Sequence, residues 1–494
     1  MNPKRVVSIY NRIPIVASSN PFINPYSPKT ERIPFVGNHT NRLVAKTKDQ
    51  IFYNVMPESQ KNDITETRKV WLHKRGGFTA DTTVFAGGGA GRGIFYWPET
   101  GKTYTVIGTK VYANTAEIAT LTTSTGKVWF EEFKGTNHLL IMGDATDLFT
   151  INTSDTVVDI TDADLPTGPI TPIFFDSYIF VIKSGTPEIY NSNVDVPTAW
   201  TSGDFLSSEQ YADDLVALKR QINYVVGFGQ YSTEFFFDAE NATGSPLERN
   251  EGVGLKVGCA ARDSIGQIDR RVFWIAQTQV GEPSVWMFDG LSASEIATES
   301  IKKILFNEGS NLTNTTAWIC NHKGHTLYII NLNARNIVYD VDEKIWTDWS
   351  INSSSTHAVL PFKYATEGAN NKILVLHNTD GKIYRLDPTI FTDDAGAILV
   401  EIITDRVDFK TNNWKTQLDL SLIADIQSSG TVTISWSDDD YVTFSATRSL
   451  DLTANRAFTK AGGVFRRRAY KLLHSTNAAF RAETLEVTYQ MRTN

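Results

Sequence analysis

Apolar and β-branched runs recur along residues 102–388, each followed by a short polar or glycine turn and a second run. The units read "KTYTVIGTKVYAN", "NHLLIMGDATDLFTIN", "SYIFVIKSGTPEIYNSN", "INYVVGFGQYSTEFFFDA", "RVFWIAQTQVGEPSVWMFDG", "GHTLYIINLNARNIVYDVDEKIW" and "NKILVLHNTDGKIYRLDP". This alternation around turn residues predicts β-hairpins. Aromatic anchors stand at Tyr112, Phe149, Tyr190, Phe236, Trp286, Tyr339 and Tyr384, in steps of 37, 41, 46, 50, 53 and 45 residues. A strand-only repeat of roughly 40–50 residues predicts propeller blades, six or seven of them.

Two stretches break the period-two pattern. "SSEQYADDLVALKR" sets Ser207 and Gln210 at capping-box spacing, and Tyr211, Leu215 and Leu218 then fall on one helical face, so a helix is expected. A second short helix is expected over "ESIKKILFN". Beyond Pro388 the runs "ILVEIITDRVDF", "WKTQLDLSLIA", "GTVTISWSDDD", "RAYKLLHS" and "AETLEVTYQM" predict a separate antiparallel domain, sandwich-like in kind. The first 45 residues hold Pro3, Pro14, Pro21, Pro25, Pro28 and Pro34 among apolar residues. Proline biases its predecessor towards extended backbone, which predicts an extended arm laid on a neighbouring subunit or on the chain's own body. The expected fold is therefore all-β: an arm over 1–45, a degenerate propeller over 46–395 and a C-terminal β domain over 396–494.

Composition narrows the function. Of 494 residues, 47 are Lys or Arg and 55 Asp or Glu, giving −8, so the whole surface is not built to adhere to nucleic acid. The two cysteines, Cys259 and Cys320, supply neither a disulfide framework nor metal-ligand spacing and are expected as reduced thiols. The start lacks the apolar core of a signal peptide, and no run is long enough to span a bilayer.

Candidate chemistry is sparse. "AGGGAGRGIFYWPETGKTY" is rich in glycine but fits no phosphate-binding pattern: Tyr96 stands where a P-loop needs its first Gly, and a strand follows Gly101, Lys102 and Thr103 instead of a helix. Its glycines are expected to serve positive φ or close backbone approach. His322 and His325 form H-x-x-H, but Gly324 and the strand-like "HTLYII" argue against the helix that would align them on a metal. "SWSDDDYVTF" resembles the structural Asp-box turn of sialidases, with Asp440 where that turn wants Gly. No nucleophile elbow occurs, so no catalytic residue, metal or cofactor is expected. The one dense cationic cluster is "VFRRRAYK", with Arg466, Arg467, Arg468 and Lys471. Read as a strand, it puts Arg466 and Arg468 on one face with Tyr470, either solvated or contacting phosphates or an acidic partner.

Residues 222–307 resemble the tail hub, or nozzle, proteins of short-tailed bacteriophages, also called packaged-DNA stabilization proteins. The resemblance rests on the strand into Gly227 and Gly229, Glu234 before Phe236, "GLKVGCA", Trp274, the hairpin from Trp286 to Gly290, and "ATESIKKIL". "DDDYVTF…FRRRAYKLL" is also similar to that family's last domain. The resemblance implies a non-enzymatic virion part: a homo-oligomeric ring, typically six copies, below the portal and adaptor. Such a ring extends the DNA channel, helps retain the genome and docks tail fibres or spikes, with a needle or plug closing its far end. It would pass double-stranded DNA and cross no membrane. The lumen is then expected to be acidic or neutral, with Arg466–Arg468 facing a protein partner. Two alternatives remain at this level: a receptor-binding or glycan-degrading propeller, which needs a carboxylate pair in a pocket, and a cellular propeller scaffold.

Overall fold

The computed structural model describes residues 27–36, 50–59, 69–81, 85, 88–211 and 213–492. Pro3, Pro14, Pro21 and Pro25, on which the extended arm was argued, lie outside them.

The hairpin units build seven blades. Blades 1 to 4 are four-stranded antiparallel sheets over residues 91–120, 129–159, 169–207 and 215–255. Blade 5 spans 258–295, blade 6 spans 316–349, and blade 7 combines 362–387 with the strand Gly77–Ala80. Each of the seven aromatic anchors sits on the third strand of its blade. The ring is closed by hydrogen bonding: Gly77–Ala80, which precedes blade 1 in sequence, becomes the fourth strand of blade 7, pairing Phe78 with Leu386.

Period two fixes how the blades stack. On the strand His138–Gly143, Leu140 and Met142 face the core shared with blade 1, while Ile141 faces the core shared with blade 3. Because successive side chains leave opposite faces of a strand, each sheet feeds two cores at once. Seven apolar clusters result, one in each interface between consecutive blades, including that between blades 7 and 1. The helix Glu299–Glu308, as expected from "ESIKKILFN", links blades 5 and 6 and buries Ile301 and Leu305 in their shared core. Thr298 caps it, accepting a hydrogen bond from the Ile301 amide.

The helix expected from Ser207 to Arg220 does not form. Ser207 ends a strand, and Leu215–Gln221 is the first strand of blade 4. The register shifts between Leu215 and Ala217. Such a bulge adds a residue to the alternation, so Leu215 and Leu218 reach one core and Ala217 the other. The three-residue spacing therefore comes from a bulged strand. The backbone N–H of Gln210, the supposed capping partner, donates to the Glu234 carboxylate.

The C-terminal strands form a sandwich whose two sheets enclose one core, including Val400, Ile402, Leu420, Ile434, Leu472, Leu485 and Val487. Strands from before the propeller complete it. Lys29–Pro34 pairs with Arg481–Met491, and Val55–Ser59 and Val70–Lys74 extend the same sheet. Ile51–Tyr53 lies between Val400–Ile403 and the outer strand of blade 6, Ile345–Trp349. The propeller is thus an insertion in a sandwich assembled from both ends of the chain. Within the expected arm and the expected propeller body, 29–34, 51–59 and 70–74 belong to this second unit.

Candidate functional site

The first strands of consecutive blades pack against one another and surround the propeller axis. That axis is crossed by side chains. Lys127, which leads into blade 2, reaches Asp263 of blade 5 at 3.4 Å, and Arg262 of blade 5 lies over the Trp129 ring of blade 2 at 4.8 Å. Lys127 also lies over Tyr364 of blade 7 at 5.6 Å. Beside this bridge, Glu131 accepts from the Phe174 amide of blade 3. Desolvation raises the Glu131 carboxyl and lowers the Lys219 ammonium, each opposed by the other's charge.

The glycine-rich stretch stiffens the same ring. A Cβ on Gly91 would lie 2.4 Å from Leu376 Cγ, and one on Gly93 would lie 2.4 Å from the Val128 carbonyl oxygen. Gly88 and Gly89 take positive φ, and Gly101 turns the first hairpin of blade 1 at φ +65°. Between these glycines Arg92 spends all five N–H donors on Gly108, Thr123, Thr125 and Gly126.

The arginine cluster is split by its fold. Arg466 and Arg467 lie in the bend between Ala457–Phe465 and Ala469–His474, so the expected strand begins only after them. Arg468 turns inward, 1% exposed, and donates to both carboxylate oxygens of Asp438 at 2.7 Å, to Gln417 and to the Gly462 carbonyl. Its guanidinium also stacks on Phe465 and Trp436. Arg467 pairs loosely with Asp440 at 3.7 Å, an acid also bonded to Arg406. Lys471 pairs with Glu401 at 3.1 Å. Arg466 is exposed and lies over the half-exposed Trp414 ring at 4.6 Å. The acidic turn "SDDD" and the basic run "RRR" are therefore partners. Asp439, between the two pairing acids, closes its own turn through Ser437 and Thr443, and these hydrogen bonds hold it at about 2.

The remaining sequence candidates are structural. Gly227 and Gly229 lie on the second strand of blade 4, where a Cβ on Gly229 would meet Asp213 at 2.6 Å. Glu234 is buried 3.7 Å from Arg249. Phe236 fills the core of blades 3 and 4. Trp274, fully buried, donates to the Gly258 carbonyl and faces Trp286 across the sheet. Gly290 turns at φ +66° and accepts from Gln221. His322 accepts from the Gly76 amide, and burial lowers its pKa to about 3, whereas His325 pairs with Asp340. Cys259 and Cys320 are free and buried in different blades. Among the described residues no group of three or more His, Cys, Asp or Glu could hold a metal, and no helix is long and apolar enough to cross a membrane.

The molecule is a seven-bladed β-propeller with a crossed axis, held in a β-sandwich made by its two ends. The family model described as bacteriophage P22 Gp10, β-propeller, matches residues 33–391, and the chain belongs to that family of phage tail stabilisation proteins. The match takes in all seven blades and stops short of the C-terminal strands. No curated protein matches the chain. Among solved structures, a streptogramin B lyase aligns at 10% identity and a TM-score of 0.41, covering 63% of this chain and 97% of that one. Virginiamycin B lyase from Staphylococcus aureus aligns at 10% and 0.42, covering 62% and 98%. YCF48 bound to D1 peptide aligns at 11% and 0.37, covering 63% and 96%. Likeness at this level transfers no activity.

Proposed function

We propose that the chain is a structural part of a short phage tail: copies stand in a ring, six in the reading the resemblance implied, below the portal and adaptor. The ring extends the DNA channel, helps retain the packaged genome and offers docking surfaces to fibres or spikes, with a needle or plug beyond it. The chain carries out no catalysis in this role.

The family match over residues 33–391 carries the reading. Two physical features support it. Lys127 and Asp263 meet across the propeller axis, so DNA passes between copies of the chain and not down the axis of one. Each copy adds a charge of −8, and few free cations suit a channel wall, because each Lys or Arg on a phosphate adds counterion-release affinity that would hold the genome back. Of the arginine cluster, Arg466 and Arg467 remain available to an acidic protein partner.

The test is immunogold electron microscopy of particles from the producing host with an antibody to this chain. Label between portal and tail tip is expected. Label on peripheral fibres alone, or on no particle, contradicts the assignment.

A further inference from the structure

Where the sandwich meets blades 6 and 7, a cavity of about 270 Å³ opens between the strand Val70–Lys74, the turn after His322 and the segments around Asp425 and Phe480. Its lining carries Lys74, Lys323 and Arg481, with His73 beside them, against one carboxylate, Asp425. That carboxylate is half exposed and reaches only Arg481, at 3.5 Å. Phe391 and Phe480 supply apolar wall.

The cations have donors to spare. Lys74 is 1% exposed, yet among the described residues its Nζ has one hydrogen bond, to the Thr476 carbonyl at 2.8 Å, out of three N–H groups. Lys323 reaches across the mouth with a single long contact to the Lys74 carbonyl at 3.5 Å, its ammonium over the Phe391 ring at 5.0 Å. Arg481 lies over Trp71 at 4.2 Å, and its buried Nε has no partner. Burial, with Arg75 adding repulsion against the attraction of Asp393, lowers Lys74 to about 8, and burial lowers Lys323 as well. A chain of net charge −8 thus sets three cations around one concavity whose lining offers them a single carboxylate, paired with Arg481, while Asp393, outside the lining, acts on Lys74. Buried charges ordinarily come paired, and desolvated donors left unmade cost free energy.

We propose that this cavity is an anion seat, taking a small phosphate-class dianion on Lys74, Lys323 and Arg481. Arg481 presents a planar fork, and the two ammonium groups act as point charges, the combination that suits phosphate oxygens. The site lies apart from the arginine hairpin and from the propeller axis, and it does not depend on the tail assignment. An anion bound here would tie sandwich to propeller by drawing together groups from both.

Isothermal titration of the full chain with inorganic pyrophosphate, at ionic strength fixed with sodium chloride, tests this. One saturable site is expected. Lys323→Gln, in the exposed turn after His322 with its end group shielded by Phe391, should weaken it roughly tenfold or more, as loss of a charge-assisted hydrogen bond implies. Lys372→Gln, exposed at the start of the second strand of blade 7, should leave it unchanged. A short DNA duplex should fail to displace pyrophosphate, being too bulky for the cavity. No saturable binding, equal affinity in Lys323→Gln and parent, or displacement by the duplex would each overturn the proposal, the last by pointing to an open DNA-contacting surface.

Discussion

Arg468 holds Asp438 through two parallel hydrogen bonds of 2.7 Å, joining the basic run to the acidic turn from which 30 residues separate it. The geometry is bidentate and buried on the arginine side, so the pair specifies how two hairpins of the sandwich dock. Arg468→Ala removes the donor to Asp438 and the Gly462 carbonyl, while Gln417 keeps the Tyr470 hydroxyl. A loss of about 1–3 kcal/mol is expected, because water reaches the exposed side of Asp438 and the buried acceptors lose a charged partner. Arg467→Ala, which loses only a half-exposed contact at 3.7 Å, should cost no more than about 1 kcal/mol. Urea unfolding of both variants checks the contrast.

Two glycines of the glycine-rich stretch separate crowding from backbone strain. Gly91→Ala pushes a methyl to 2.4 Å from Leu376 Cγ and 2.6 Å from the His377 carbonyl oxygen, where blade 7 meets blade 1. The blades must part, and overpacking of this kind costs about 1–3 kcal/mol or more. Gly101→Ala meets no atom within 4 Å, so only its φ of +65° opposes it, for roughly 1 kcal/mol. Thermal unfolding of the pair should rank Gly91→Ala as the more damaging.

Buried histidines predict an acid-sensitive fold. His474 and His322 are lowered to about 3 by burial, with Lys74 opposing protonation of the first and Lys323 that of the second. The unfolded chain takes up their protons near pH 6.5 and the folded chain does not. Their contribution is therefore complete above pH 6.5 and is lost progressively as pH falls towards 3. The slope is about 1.4 kcal/mol per pH unit for each histidine. Comparing stability at pH 7.5 and 5, His474→Phe should show about 2 kcal/mol less loss than the parent. An identical loss in both would contradict the assignment.

Much of the propeller is legible in the sequence because its signals are local. Each blade is made of hairpins whose turns and alternation lie within one window, and the aromatic anchors mark one structural position seven times. What escaped is non-local or imitates another pattern. Ile51–Tyr53 pairs with Val400–Ile403, far along the chain, and three residues carry no periodicity. The bulge after Leu215 reproduces helical spacing in a strand. The arginine cluster reads as a free surface because its acids, Asp438 and Asp440, become neighbours only once the sandwich folds. The cavity cations share no motif at all: Lys74, Lys323 and Arg481 come from three distant segments.

Contact across the axis can be measured directly. Lys127 and Asp263 are 21% and 17% exposed, so their interaction is partly shielded from solvent. A double-mutant cycle with Lys127→Met and Asp263→Asn should give a coupling of about 0.5–1 kcal/mol. Additive effects would contradict a pairing of these two groups across the axis.

If copies of this propeller surround a DNA channel which none of them contains, cryo-electron microscopy of the producing phage, reconstructed through the tail, will show a ring of these propellers below the portal. DNA density is expected in the lumen between copies, and protein density across each propeller axis. DNA density threading a single propeller, or a tail in which this fold is missing, would contradict it.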